Sequence, residues 1–211
     1  AGHNGENRTF TEDDWSKIEN NIGAYAKSKT LAERAAWDFI NSAENANKME
    51  MVAINPSLIL GPIPNKNVRT SIELIRTLML GQVPGVGRIK MGFVDVRDVA
   101  AAILLAMSTP EAAGNRFLCS ADEAMWVKDI ADLLHKHYAG RGYKINRIQF
   151  PSFLVRVIAL FDKKVSRVTE SLDWDYEFSN EKTKRILKWN PRSKEEAILS
   201  MAESLVEQGF V

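Results

Sequence analysis

The chain has 211 residues, 45% hydrophobic and 26% charged, with 28 Lys and Arg against 27 Asp and Glu for a net charge of +1. That length and apolar content can bury a real core as one large domain or two small ones, while a charge this balanced gathers no polyanion and excludes nucleic acid as an expected partner. A single cysteine, Cys119, excludes an internal disulfide and suits a reducing compartment, so a cytoplasmic location is expected.

No apolar run approaches the roughly 20 residues that span a bilayer, and AGHNGENRTF at the start lacks the apolar centre of a signal peptide, so no membrane role is expected. Thr11-Glu12-Asp13-Asp14 reads as a capping signal for a short helix through Trp15 to Ile18. The principal helix follows. From Tyr25, the positions Tyr25, Lys29, Ala32, Ala36 and Ile40 share one side at spacings of three and four, which predicts a buried stripe.

Lys48 to Asn55 becomes apolar and reads as a buried strand of a parallel sheet, with Pro56 ending its ladder. SLILGPIPNKN is expected to be a loop, and helical spacing resumes from Val68 to Leu80. Met91 to Val94 reads as a short strand, Val96 to Met107 as a helix apolar enough to require burial, and Arg116 to Cys119 as a further strand. This alternation predicts α/β architecture with a mostly parallel sheet.

Beyond Ala124 helices dominate. Met125 to Tyr138, Pro151 to Phe161 and Asn180 to Leu187 have helical patterns, and the capping box Ser193-Lys194-Glu195-Glu196 opens a last helix that Gly209 stops. Phe150, Phe153 and Phe161 are expected to turn a helix face to the core, and Trp126, Trp174 and Trp189 to pack. His135 and His137 diverge on their helix and His3 lies in a loop, so no metal site is expected.

Tyr25 and Lys29 are the chemical candidates. Four residues apart on a helix, they stack on one face, and a neighbouring ammonium favours the phenolate and brings a phenol towards use as a proton donor. With 4 Tyr and 15 Lys in the chain, chance supplies such a spacing with odds of roughly one in four, and Glu33 offers Lys29 an ordinary ion-pair partner. The context adds weight, because the helix leads into a strand ending in NPSLILGP, and ligands of open α/β sheets bind beyond the carboxyl ends of strands.

Tyr25 to Lys29, the continuation SKTLAERAAW, NPSLILGP, FVDVRDVA at Phe93 to Ala100 and SNEKTKRILKWNPRS together resemble the extended short-chain dehydrogenase/reductases of the epimerase/dehydratase superfamily. Within them the chain is most similar to the dihydroflavonol reductase-like branch, which includes cinnamoyl-CoA reductases and microbial aldehyde and ketone reductases. The resemblance runs through nearly the whole chain in order. It implies the C-terminal part of a Rossmann-type parallel sheet with a smaller helix-rich substrate-binding domain. Residues 1–63 and 91–123 would belong to the dinucleotide-binding domain, and 64–90 and 124–211 to the substrate-binding part.

The resemblance also implies roles. Tyr25 would protonate the oxygen of a small-molecule carbonyl substrate, and Lys29 would hold the nicotinamide ribose of NADP or NAD. Pro56, Ser57, Leu58 and Ile59 would line the nicotinamide, mainly through backbone groups, and Ser71 would add a cofactor contact. Asp95, Arg97 and Asp98 would form an ion-paired helix entry.

Two departures stand out. The Gly-rich turn that places a pyrophosphate at a helix amino terminus is missing, since Gly85-Val86-Gly87 lies in a Pro-containing loop. The family's catalytic Ser falls upstream of the matched segment. A fragment whose N-terminal half is missing is therefore expected, inactive alone and seated against that half. The plant-type lead-in to the catalytic Tyr is absent, and Asp95 stands where many plant relatives have His, which favours a microbial aldehyde or ketone reductase. Alternatives within the fold are a nucleotide-sugar epimerase or dehydratase that grips a diphosphate with Arg69, Arg76 and Arg88, and a non-catalytic binding or regulatory protein. A homodimer is compatible with a second small-residue side on the Tyr25 helix.

Overall fold

The computed structural model describes residues 1–3, 5–64, 70–166 and 168–211. In chain order the elements are β1 (Thr9–Phe10), α1 (Gly23–Ile40), β2 (Ala53–Pro56), β3 (Leu58–Leu60), α2 (Thr70–Met79), β4 (Lys90–Met91), β5 (Phe93–Asp95) and α3 (Val96–Ser108). They continue with β6 (Arg116–Cys119), β7 (Met125–Trp126), α4 (Val127–Tyr138), α5 (Ser152–Ala159), α6 (Lys163–Ser166), β8 (Glu177–Phe178), α7 (Glu181–Leu187) and α8 (Lys194–Glu207). The expected start of α2 at Val68, and Arg69 beside it, lie outside the described residues. Among the described residues no helix is long and apolar enough to cross a membrane.

The fold is α/β, as expected. β2 pairs with β6 in parallel, from Ala53 opposite Arg116 to Pro56 opposite Cys119. β3 pairs with β5 and β1 with β8, both in parallel, and β4 with β7 antiparallel. The β2–β6 pairing ends at Pro56, as expected, but SLILGPIPNKN is not all loop, since Leu58–Leu60 pair with β5. Ser57 is instead a junction: its N–H and Oγ both donate to the Cys119 carbonyl, at 2.9 and 3.3 Å, and the next N–H, of Leu58, donates to the Gly92 carbonyl at 3.1 Å. The chain thus exchanges β6 for β5 as partner within one residue. Gly61 follows at φ +106°, and a Cβ there would come within 2.9 Å of an Asp95 carboxylate oxygen, so no other residue fits this crossing.

Two apolar clusters hold the layers. One joins Leu60, Ile75, Phe93, Ile130, Leu134, Ile198 and Leu205, and so packs α2, α4 and α8 around β3 and β5. The other sets Val94, Ala102, Phe117 and Cys119 against Leu187 and Trp189. Asp95 caps α3 by accepting the Arg97 N–H at 2.8 Å, and its carboxylate also takes the Arg97 guanidinium at 2.7 and 2.8 Å. Asp98, buried on the first turn, accepts the Arg192 N–H at 2.8 Å and pairs with the Arg192 guanidinium, while Trp189 Nε1 donates to the Asp98 carbonyl at 2.9 Å. The helix entry is ion-paired, as the resemblance implied. Ser193 caps α8 through the Glu196 N–H at 3.1 Å.

Three expectations fail for identifiable reasons. No helix forms at Trp15 to Ile18, because Glu12 turns inward, its Oε1 accepting the Leu118 N–H of β6 at 3.0 Å, and Asp14 is held by both guanidinium ends of Arg8. α3 is only half covered: Leu104 and Met107 are 67% and 80% exposed, with Ile103 beside them. Phe153 and Phe161 face solvent rather than core, since α5 spends Val155 on burial and turns the other side out.

Candidate active site

Helix α1 carries the tyrosine and lysine on its outer side. Tyr25 is 77% exposed, and Lys29 is exposed one turn on, with its ammonium nitrogen 5.8 Å from the centre of the Tyr25 ring. The i to i+4 geometry predicted from spacing is present. The head of the helix follows Gly23 at φ +74° and has no side-chain cap. Among the described residues the Tyr25 hydroxyl has no hydrogen-bond partner and Lys29 no ion pair. Both polar groups are therefore free to meet a ligand.

The stripe expected at Tyr25, Lys29, Ala32, Ala36 and Ile40 packs only at its far end: Tyr25, Lys29 and Ala32 are exposed, while Ala36 and Ile40 are half-buried. Over the rest of the helix the inward side is Ala26, Thr30, Glu33 and Trp37, one residue further round, and Thr30 is the sole α1 residue fully buried. The cause is a polar anchor. Glu33 Oε1 accepts Arg116 Nε at 2.7 Å and Trp37 Nε1 at 3.3 Å, and Oε2 accepts Asn55 Nδ2 at 3.0 Å and the second Arg116 nitrogen at 3.4 Å. Glu33 thus pairs with Arg116 of β6, not with Lys29.

Arg116 lies 3.9 Å over the Trp15 ring and donates to the Glu12 carbonyl. Burial pushes the Glu33 carboxyl up, but the bond and charge of Arg116, aided by Trp37 and Asn55, outweigh it and hold the group below its ordinary value of 4.5. Sequence reading did not single out this cluster. The available signals were a lone arginine opening the apolar run RFLC and an Asn directly before Pro56.

Asn55 ends next to the segment expected to line a cofactor. Pro56 is exposed and Ser57, Leu58 and Ile59 are half-buried at the carboxyl end of β2. The N–H groups of Ser57 and Leu58 are already bonded to Cys119 and Gly92, so any ligand here meets carbonyl groups and side chains rather than those donors. Ser71 sits half-buried in the first turn of α2. Cys119 is buried, and burial raises its thiol to about 12, which makes it inert.

The glycines of Gly85-Val86-Gly87 serve packing. A Cβ on Gly85 would come within 2.6 Å of the Ile148 carbonyl, and Val86 is buried and bonded to Ile148 and Phe150. Of the arginines proposed for a diphosphate, Arg76 is occupied by Glu73 and the Phe210 carbonyl, and Arg88 by Asp173 and the Trp126 ring.

The sequence profile of the NAD dependent epimerase/dehydratase family matches residues 1–119. Over 150 residues the chain is 32% identical to the NADPH-dependent methylglyoxal reductase of Saccharomyces cerevisiae, covering 65% of this chain and 44% of that protein. It is 30% identical over 188 residues to cinnamoyl-CoA reductase 1 of Petunia hybrida, covering 89% and 49%. It is 36% identical over 151 residues to a ketoreductase of Aspergillus niger, covering 68% and 44%. Among solved structures, yeast methylglyoxal/isovaleraldehyde reductase complexed with NADPH superposes with a TM-score of 0.74 at 27% identity, over 96% of this chain and 58% of that one. Alfalfa vestitone reductase, at 21% identity and a TM-score of 0.73, over 100% of this chain and 62% of that one, shares the fold. The chain spans about half the length of the curated relatives it matches.

Proposed function

The chain belongs to the NAD dependent epimerase/dehydratase family, in the dihydroflavonol reductase-like branch of the extended short-chain dehydrogenase/reductases, and from this we propose that it carries the proton-donor side of an NADPH-dependent carbonyl reductase. The observation that carries the reading is the pair on α1, a phenol and an ammonium side by side and, among the described residues, with no hydrogen bond from the phenol and no ion pair from the ammonium. The names of the relatives point to aldehydes and ketones as substrates and to NADPH as reductant.

The residues present fit a nicotinamide cofactor. Lys29 offers three N–H donors suited to ribose hydroxyls, Tyr25 a further donor, and Pro56, Ser57, Leu58 and Ile59 an open, largely apolar strand end, with Ser71 a further contact. The bound cofactor supplies a hydride to the carbonyl carbon. Tyr25 donates its phenolic proton to the carbonyl oxygen as negative charge develops there. Lys29, beside the ring, stabilises the phenolate that remains, which lowers the cost of that transfer. In this reading residues 1–63 and 91–123 serve cofactor binding, and 64–90 and 124–211 shape the substrate side.

The remaining part of the same fold completes the site. β2 has β6 on one edge, and among the described residues no strand on the other. A groove of about 560 Å³ beside it is lined by Val52, Ile54, Ile103, Ala106 and Met107. An open strand edge and an apolar helix face are features that folded proteins cover, and the relatives, of which the match covers 44% and 49%, have further chain to supply the material. On this reading a nicotinamide cofactor is held only where both parts of the site are present.

The test uses the complete polypeptide that the gene encodes. Absorbance of NADPH and NADH is followed with a panel of aldehydes, ketones and nucleotide sugars. Oxidation with at least one simple carbonyl is expected, and none with any carbonyl would overturn the reductase reading. Calorimetry on the 211-residue chain is expected to show no cofactor binding; tight binding would refute the division of labour.

A further inference from the structure

Helix α1 bears the reactive pair yet has almost no apolar grip on the fold. Thr30 is its one fully buried residue, and Leu31 and Phe39 are exposed. Among the described residues, every hydrogen bond between α1 and the strands ends on one carboxylate, that of Glu33. Its partners are Asn55, which directly precedes the strand end Pro56 to Ile59, and Arg116, which stands opposite Ala53 at the start of β6. One side chain thus ties the helix to both strands.

Lever geometry makes this position matter. Glu33 lies eight residues from Tyr25, about 12 Å along the helix axis, and four from Lys29, about 6 Å. A rotation of about 10° about Glu33 would displace Tyr25 by about 2 Å on that lever. Misplacing a reacting group by about 1 Å can cost about 100-fold in rate. Asn55 donates to Oε2 at 3.0 Å, while Arg116 spans both oxygens, at 2.7 Å to Oε1 and 3.4 Å to Oε2. The Glu33 carboxylate is thus bonded to side chains of β2 and β6 at once.

The rest of the cluster is arranged to hold the carboxylate still. Arg116 is itself fixed, with its guanidinium over the Trp15 ring and one nitrogen on the Glu12 carbonyl, while Glu12 is buried against Leu118. Asn55 presents its N–H₂ to Glu33, and among the described residues its buried Oδ1 has no hydrogen-bond partner. A buried amide oxygen without a partner is costly, so the amide is held in this orientation by Glu33.

We infer that Glu33, with Asn55 and Arg116, is a positioning clamp that sets Tyr25 and Lys29 against the strand end Pro56 to Ile59. The inference rests on the reductase reading for its catalytic consequence, but the clamp itself is a property of these 211 residues. Glu33 touches neither substrate nor cofactor in this scheme; it acts through the placement of Tyr25.

A double-mutant cycle tests it. Glu33→Gln removes the charge that Arg116 faces, and Asn55→Asp sets a second carboxylate against Glu33. The double variant restores a Gln-to-Asp hydrogen bond between helix and strand and one negative charge for Arg116. In the 211-residue chain, hydrogen exchange of the Gly23–Ile40 amides is expected to speed up by about tenfold or more in each single variant and to return towards normal in the double, with Val127–Tyr138 unaffected. In the complete polypeptide each single variant should lower kcat by about 10- to 100-fold while KM for NADPH changes less than about threefold, and the double should recover to within about threefold of the parent.

Unchanged α1 exchange in Glu33→Gln would overturn the clamp. Loosened α1 with unchanged kcat would overturn its positioning role, and additive losses in the double variant would overturn the Glu33 to Asn55 link. If the complete polypeptide reduces no carbonyl, the functional reading fails while the exchange cycle still decides whether the clamp exists.

Discussion

Replacing Asp98 by Ala removes the stitch between α3 and the segment that leads into α8. The Asp98 side chain is 4% exposed; it accepts the Arg192 N–H at 2.8 Å and pairs with the Arg192 guanidinium, which is 37% exposed. A hydrogen bond to a charged group contributes about 1.5–3 kcal/mol. Solvent around Arg192 screens its share, so the low end applies and the two together are worth about 3 kcal/mol. Unfolding entropy near 2.1 cal/mol/K per residue gives about 0.44 kcal/mol/K for this chain, so the expected fall in Tm is about 7 °C. Trp189 bonds the Asp98 backbone carbonyl, a contact the substitution leaves in place. Thermal unfolding followed by circular dichroism at pH 7 measures the effect. Asp98→Asn, whose amide oxygen still accepts the Arg192 N–H, should lose about half as much. A fall below about 2 °C for Asp98→Ala, or Asp98→Asn as damaging as Asp98→Ala, would refute the assignment of Asp98 as a buried anchor.

Tyr25→Phe should lower turnover of the complete polypeptide by about 100- to 10,000-fold, while in the 211-residue chain stability changes by less than about 0.5 kcal/mol, because the side chain is 77% exposed and its hydroxyl makes no bond among the described residues; turnover and melting curves of the same variant check both. Glu33 is held below its ordinary value of 4.5 when folded, so its contribution is present above pH 4.5 and is lost as pH falls through the lowered value. Acid titration with exchange at the α1 amides should show loosening on the acid side of pH 4.5, and loosening confined to neutral pH would contradict it. Cys119, buried with its thiol raised to about 12, should resist thiol reagents at pH 8 in the native chain and react stoichiometrically in guanidinium chloride; rapid native labelling would place the thiol at the surface.

The two charged positions of the α3 entry illustrate why paired acids at a helix start differ in weight. Asp95 is buried yet local, bonded to the backbone and side chain of Arg97 two residues on. Burial pushes its carboxyl up, and the Arg97 bonds outweigh that and hold it below its ordinary value. Asp98 reaches residues more than ninety positions away. Both read alike in sequence; their separation into a local cap and a long-range anchor is a tertiary outcome.

Sequence by itself determined what depends on local spacing and turn chemistry. The alternation of helix and strand, the stacking of Tyr25 on Lys29 and the Ser193 cap of α8 follow from periodicities and residue types that act within a few positions. The tertiary structure decided what depends on groups far apart in the chain. Glu33 met Arg116 across 83 positions instead of Lys29 across four, because a carboxylate leaving water gains more from a fixed guanidinium and a strand amide than from an exposed ammonium. That pairing leaves Tyr25 and Lys29 facing outward and joins the helix to the strand end at Asn55. Inward-turned Glu12 likewise cancelled a local helix signal by bonding the edge of β6. Hydrophobic pattern states that a face is apolar, but which apolar faces are covered is settled by the partners present. Leu104 and Met107 on α3 remain exposed for that reason.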